Sequence, residues 1–425
     1  MKPRLRAYLG LTLIVAGLVG LAASGDLIEH SALLVAFYGV AGAGFAILAS
    51  AATSLSLRVA LVAAVLLRLV FLPGAPSLSD DYYRYAWDGR VQQAGINPYA
   101  HAPRSPRLNR VSYEWRERIN HPDLRTVYPP LAELTFLGIA VLDGATAPTL
   151  ERDASGLLTG DALAFKLLFG AFDLATAAAI WRLAAAPRRR VATTLYLLCP
   201  AVIVQTWEAV HLEAAAVFFC VLAALLLLRR RDGWAGVALG LATAFKLTPA
   251  ALLIPALLGG RAKPARLLAG FVPAFALPYL PYLLSGGATG SLFESGTKWT
   301  GGALVFAPLA LLMGAEVARL LSAAAFLAGA VWIARHWRGR TETARAFAWT
   351  MTLATVCLPI VHAWYWLTPL ALGLAAGVWL PVVAGLLAPI PEAFAPAWPG
   401  RLPPWRRLAV FVLARPRTGA LLPPW

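Results

Sequence analysis

Apolar runs long enough to cross a bilayer recur along almost the whole chain, and this constrains the fold more than any other feature. A hydrocarbon core ~30 Å thick takes about 20 helical residues to cross. Runs near that length fall around 7–23, 31–50, 59–73, 162–185, 191–206, 212–228, 267–284, 316–334, 346–360 and 367–388. No soluble domain of ordinary size can be cut out between them. The expected fold class is all-α, a polytopic transmembrane helical bundle of about 11–13 spans.

Composition agrees. Hydrophobic residues make up 59% of the chain and charged residues 14%, against about 25% charged in a typical soluble domain. Lys and Arg number 37 against 21 Asp and Glu, yet this excess does not point to nucleic acid. The basic residues gather in short gaps between apolar runs: Arg188–Arg190, Arg229–Arg231, Arg261–Arg266 and Arg335–Arg345. That is the pattern of cytoplasmic loops under the positive-inside rule. The three cysteines, Cys199, Cys220 and Cys357, lie inside apolar runs without metal-ligand spacing and read as packing residues.

Lys2 to Arg6 followed by an apolar stretch has the order of a signal peptide or of a first span. The apolar runs that follow at once favour an uncleaved signal anchor with its basic end inside. Two more spans then carry the chain to the outer face, where the composition changes. Residues 74–128 are polar, aromatic and proline-rich, and no stretch of them could cross a bilayer. A loop of this length is functional or disordered, and its Trp, Tyr and Pro content favours order as short interfacial helices. The 129–142 stretch is short for a span, and if it did span, Arg188–Arg190 would be pushed outside. Residues 234–258 are interrupted by Phe245-Lys246-Leu247-Thr248-Pro249, which predicts a hairpin or broken helix with an outward tip. A second outer loop runs from Ser285 to Gly302. The organisation expected is a membrane domain over 1–390, with 74–128 as its extracytoplasmic catalytic loop, and a cytoplasmic tail over 391–425. Asp80-Asp81, Glu208 to Glu213, Lys246, Lys298 and His362 then share the outer side.

The sharpest stretch is Ser79-Asp80-Asp81-Tyr82-Tyr83-Arg84-Tyr85-Ala86-Trp87-Asp88-Gly89-Arg90. Adjacent carboxylates repel, and burial raises a carboxyl pKa, so one of the pair could serve as a base. On a helix, Asp81, Arg84 and Asp88 share a face. A second reading makes Asp80 or Asp81 the N-cap of the helix that follows. Lys246 at its break could meet an anion or snorkel to the interface. His362, followed by Trp364, Tyr365 and Trp366, could contact substrate or belong to an aromatic belt. Glu208, His211 and Glu213 are costly at membrane depth unless paired or functional. No metal-binding set is recognisable, and no cofactor is expected.

Asp81-Tyr82-Tyr83-Arg84-Tyr85-Ala86, directly after an early span, resembles the Asp-x-x-Arg-Tyr-Ala element of lipid-A aminoarabinose transferases, which are GT-C glycosyltransferases. The run from Arg84 through Gln92, then Gly95-Ile96-Asn97-Pro98-Tyr99, is closer to bacterial relatives of the polyprenol-phosphate-mannose-dependent α-mannosyltransferases. So are Ile119-Asn120-His121-Pro122 and Thr126-Val127-Tyr128-Pro129-Pro130-Leu131. Pro200 to Glu208 with His211-Leu212-Glu213-Ala214 is similar to that family's Asn-Pro…Glu…His-Asn-Asp/Glu element, with Cys199 and Leu212 in place of two asparagines. Phe245-Lys246-Leu247-Thr248-Pro249 is similar to its Lys-x-x-Pro break, and His362-Ala363-Trp364-Tyr365-Trp366 to its His-Pro-Trp-Tyr element.

The resemblance implies an inverting transfer of a hexose, mannose above all. The donor would be a polyprenyl-phosphate sugar and the acceptor a hydroxyl of a glycolipid or glycan, at the outer face of the cytoplasmic membrane. It maps the general base to Asp81, with Asp80 beside it. Arg84, Asp88, Arg90, Glu208, His211, Glu213, Lys246 and His362 become candidate substrate-binding residues, and the surrounding partners are membrane lipids. A lipid-linked sugar flippase is the alternative. It would need symmetric repeats and polar groups through the bilayer depth, and the sequence shows neither. A non-catalytic assembly factor would have no use for a carboxylate beside cations.

Overall fold

The computed structural model describes residues 1–27, 30–111, 116–142, 161–292 and 300–391. Among these, every regular element is helical, apart from one isolated bridge between Gly301 and Ile360. Helices α1 (Pro3–Ala23), α2 (Ser31–Ala49) and α3 (Leu57–Phe71) lead to the long loop, which carries α4 (Asp81–Gln93) and ends at α5 (Pro130–Leu142). Helix α6 (Asp161–Leu183) follows, then α7 (Arg189–Leu197) and α8 (Pro200–Ile203), which runs into a π-turn at Val204–Glu208. Next come α9 (Glu213–Leu228), α10 (Asp232–Phe245), α11 (Leu253–Leu258), α12 (Pro264–Ala276), α13 (Leu280–Leu284), α14 (Phe306–Met313) and α15 (Ala315–His336). Helices α16 (Thr343–Cys357), α17 (Leu367–Ala376) and α18 (Trp379–Leu387) complete the fold.

The all-α reading holds, and the protein is a polytopic helical membrane protein. The spans are less uniform than the hydropathy pattern suggested. Among the described residues, five stretches are long and apolar enough to cross a membrane as single units: Pro3–Ala23, Ser31–Ala49, Ala162–Leu183, Pro264–Leu284 and Ala315–His336. A sixth is bent by 48° between α7 and the helix starting at Pro200, where proline withdraws a backbone donor and disfavours helix in the residue before it. The buried Arg68 stabilises this break. It donates to the freed carbonyl of Leu197 at 2.9 Å and pairs with Asp173 at 2.7 Å, which also accepts from Trp207 Nε1 at 3.0 Å.

Other apolar runs stop at 14 to 16 residues, in α3, α9, α10 and α16, about 21–24 Å of helix. The run expected as one span over 367–388 is a hairpin instead. Gly377 is left-handed at φ 71°, and α18 returns along α17 with Gly385 against Leu370 and the Trp366 carbonyl. The tail beyond it lies outside the described residues.

The ends of the bundle differ chemically. At one end the arginine-rich turns meet. Asp232 accepts from Arg340 at 2.6 and 3.0 Å and from the Lys263 amide at 2.9 Å, and Arg190 bonds the Leu55 carbonyl. The loop of residues 74–128 covers the opposite end.

Helix α4 is one of the short helices expected in this loop, and it is buried against the bundle. All residues from Tyr82 to Gly89 are buried. Tyr85 stacks on Phe136 of α5 at 4.6 Å and meets Phe169 of α6 edge-on at 6.4 Å. A side chain at Gly89 would strike the Phe136 carbonyl, so glycine there is what allows α4 and α5 to close. The 13-residue α5 is thereby spent as a wall against α4.

Candidate active site

Asp81 opens α4, and Asp80 occupies the N-cap position without a side-chain capping bond. Ser79 accepts from the Asp81 amide at 3.2 Å, so capping does not consume the carboxylates. Both are held by one amide: Asn120 Nδ2 donates to Asp80 Oδ1 at 2.9 Å and to Asp81 Oδ1 at 2.8 Å. Asn120 belongs to the Ile119-Asn120-His121-Pro122 motif, where His121 takes a left-handed φ of 46°. The motif's turn brings the far end of the loop back onto the start of α4. Asp81 keeps 15% of its side chain exposed, so it is reachable.

A second wall comes from the π-turn. Such turns insert a residue into a helix and are frequent at functional sites. Here the chain leaves the turn through Val210 at φ 57°, a strained conformation for a β-branched residue. The His211 amide then donates to the Gln205 carbonyl at 3.1 Å. The result aims His211 Nδ1 at Asp81 Oδ2, 3.8 Å away. Asp81 and His211 are 130 positions apart in the chain, and only the tertiary fold joins them.

The third wall is the break after α10. Lys246 is extended at φ −154° and ψ 134°, which turns its ammonium into the site. There it pairs with Glu213 and lies 3.3 Å from the ring centroid of Tyr365. Asp81 is close enough to act on it electrostatically. A half-buried ammonium needs such compensation, because desolvating a charge fully costs several kcal/mol.

The fourth wall is residues 359–366. Gly301 donates to the Pro359 carbonyl at 3.0 Å and accepts from Val361 at 2.8 Å, so the second long loop braces this segment. Gly302 follows at φ 62°, packed where a Cβ would strike the Val361 carbonyl. A 3₁₀ turn over Ala363–Trp366 then presents Trp364 and Tyr365. His211 stacks on Trp364 at 3.7 Å and His362 at 4.4 Å. Both rings lie too near the indole centre to sit side by side, so they clasp opposite faces.

Asp80, Asp81, His211, Glu213, Lys246 and His362 therefore converge. The remaining expected residues do not. Arg84 pairs with Asp88 at 2.9 Å inside the protein and donates to the Leu124 carbonyl at 3.0 Å, although its Nη2 is buried without a partner. Asp88 lies beside Glu133, which accepts from Thr126 at 2.5 Å and from Gln92 at 2.9 Å. Burial and the neighbouring Asp88 hold the Glu133 carboxyl well above its ordinary range. Burial likewise raises Asp88, against the pull of Arg84. These groups tie α4, α5 and the loop together. Arg90 sits in the last turn of α4, about 13 Å along the axis from Asp81. Glu208 turns to the backbone of Ser77 and Leu78. Lys298 lies outside the described residues.

Several participants escaped the sequence reading. Asn120 was visible only as part of a motif, and Glu133 looked like one acidic residue in an apolar run. Lys166, fully buried in α6, carried the general signal of an ionisable group at membrane depth. Among the described residues no three His, Cys, Asp or Glu side chains gather as a metal site.

A family model described as alpha-(1->6)-mannopyranosyltransferase, N-terminal domain, matches residues 15–260, more than half of the chain. The chain belongs to this mannosyltransferase family. It is thus a membrane-embedded glycosyltransferase, a hexosyltransferase acting on a sugar donor and an acceptor. No individual curated protein matches it. The matched region of the mannosyltransferase contains three walls of the site, those bearing Asp81, His211 and Lys246. The fourth, bearing His362, lies beyond it.

Proposed function

We propose that this mannosyltransferase moves a mannosyl unit from a polyprenyl-phosphate donor to an acceptor hydroxyl with inversion, using Asp81 as the general base. One observation carries the reading: a reachable carboxylate, oriented by Asn120 and His211, shares the site with a half-buried ammonium that has an aromatic wall. An acceptor hydroxyl attacks poorly until its proton is removed. A positioned base contributes about 10²–10⁴-fold. Asp81 takes that proton as the hydroxyl oxygen bonds to the anomeric carbon. The bond from that carbon to the phosphate oxygen breaks on the opposite face, and the electron pair leaves with the lipid phosphate. Lys246 offsets the charge that builds there, a role suited to a fixed cation in a water-poor site. His362 and Trp364 border the same space and suit the donor phosphate or the sugar. Asp80 shares the Asn120 amide and sets the local field.

The site faces away from the end where the arginine turns meet. Under the positive-inside rule this supports an extracytoplasmic site in the cytoplasmic membrane, where a polyprenyl-phosphate sugar would enter from the lipid. The candidate site residues gather at one end of the bundle, which favours transfer over transport through the bilayer depth.

The test uses purified enzyme with a panel of polyprenyl-phosphate sugars. Asp81→Asn keeps the shape but cannot accept the proton. It should lower turnover about 10²–10⁴-fold with donor binding retained, and Asp80→Asn should lower it less. Near-parental turnover in Asp81→Asn would remove the base from the mechanism.

A further inference from the structure

We infer that Glu208 is a positioning residue that sets Asp81 against His211 by gripping the stem of the first long loop, without touching substrate. The inference rests on the reading of Asp81 as the base. Glu208 is the last residue of the π-turn and is 6% exposed. Its hydrogen bonds run through one oxygen. Oε1 accepts from the Ser77 amide at 2.8 Å, the Ser77 hydroxyl at 2.5 Å and the Leu78 amide at 3.3 Å. Ser77 Oγ in turn accepts from the Leu27 amide at 3.1 Å, which brings in the turn between α1 and α2.

A second clamp acts just upstream. Lys166 of α6 donates to the carbonyls of Phe71 at 2.6 Å and Gly74 at 2.5 Å, at the C-terminal end of α3. A cation there meets the negative end of the helix dipole. The Lys166 and Glu208 charges also attract one another. The stem over 71–78 is thus held from three directions before the chain reaches Asp80 and Asp81.

The placement of Glu208 gives this grip its consequence. Two residues separate Leu78 from Asp81, and two separate Glu208 from His211. Both pairs are joined across space, the first end by Glu208 on Ser77 and Leu78, the second by His211 near Asp81. Between Glu208 and His211 the chain is stiffened by the strained Val210 and by the bond from the His211 amide to Gln205. Releasing the Glu208 end lets α4 drift relative to His211 and Lys246. A misplacement of about 1 Å at a reacting group can cost about 10²-fold in rate.

The test compares Glu208→Ala, Glu208→Gln and Asp81→Asn in the full-length enzyme. Glutamine keeps Oε1 as an acceptor for all three bonds and discards only the charge. Glu208→Ala should lower kcat about 10²-fold, with donor KM within about threefold of the parent, and Glu208→Gln should return to within about fivefold. A substrate-binding role predicts the reverse, a raised KM and a Gln variant as poor as Ala. Either of those results overturns the inference. So does a fully active Glu208→Ala beside an inactive Asp81→Asn, whereas an active Asp81→Asn overturns the base assignment itself. A size-exclusion profile and melting curve for each variant separate lost positioning from lost folding, and a Gln variant that folds but stays inactive also refutes it.

Discussion

Replacing Lys246 with Met removes a charge at nearly constant length, and the structure shows why this change alone would mislead. Lys246 is the ion-pair partner of Glu213, whose side chain is 5% exposed. Removing one member of a buried pair leaves an uncompensated charge, at a cost of about 3–5 kcal/mol. Lys246→Met should therefore lower stability as well as activity. The double variant Lys246→Met, Glu213→Gln leaves no unpaired charge and should recover most of that stability. What it cannot recover is the proposed contact with the donor phosphate. A charge-assisted bond is worth about 1.5–3 kcal/mol, so the double variant should still use the donor about 10- to 100-fold less well. The assay titrates polyprenyl-phosphomannose against fixed acceptor in detergent, with a melting curve for each protein. Lys246→Arg should keep part of the activity, because the charge survives while the fork geometry differs. If the double variant handled its donor as well as the parent, Lys246 would serve only to neutralise Glu213.

Two further outcomes follow from other parts of the fold. A cysteine placed at Ser105 should react with a membrane-impermeant reagent in intact cells, and labelling only after permeabilisation would invert the topology. The acid pair predicts a pH dependence. Glu133 has its pKa raised by burial and by Asp88, so folding favours its protonated form. That stabilisation is complete below the ordinary carboxyl range and is lost as pH rises toward the raised value. Melting temperature measured from about pH 5 to about pH 9 should fall toward the alkaline end in the parent and less in Glu133→Gln, which stays neutral. Identical slopes in the two proteins would show that Glu133 does not titrate there.

The sequence by itself determined the solvent, the helical class and the position of the long loop. Each follows from local quantities: the length of an apolar run, the placement of arginines and the absence of any crossing segment over 74–128. It also marked Asp81, because the motif around it is contiguous. The break at Lys246-Leu247-Thr248-Pro249 was legible for the same reason, since proline acts on its immediate neighbours.

Tertiary structure decided which marked residues work together. Asp88, Arg84 and Asp81 share a helical face by spacing, yet Asp88 and Arg84 neutralise each other in the interior while Asp81 meets His211. Periodicity gives the side of a helix a residue occupies. Its partners come from whatever packs on that side, here α5, α6 and the chain after the π-turn. The hairpin at Gly377 was hidden likewise, because hydropathy records how apolar a run is and not the sign of φ at one residue within it. Glu208 and Glu213 had the same local signature, ionisable groups in an apolar stretch. A left-handed Val210 between them sends one to the backbone of Ser77 and the other to Lys246. Long-range pairing and backbone strain carry no signature in one-dimensional spacing, which is why that division of labour appears only in the folded chain.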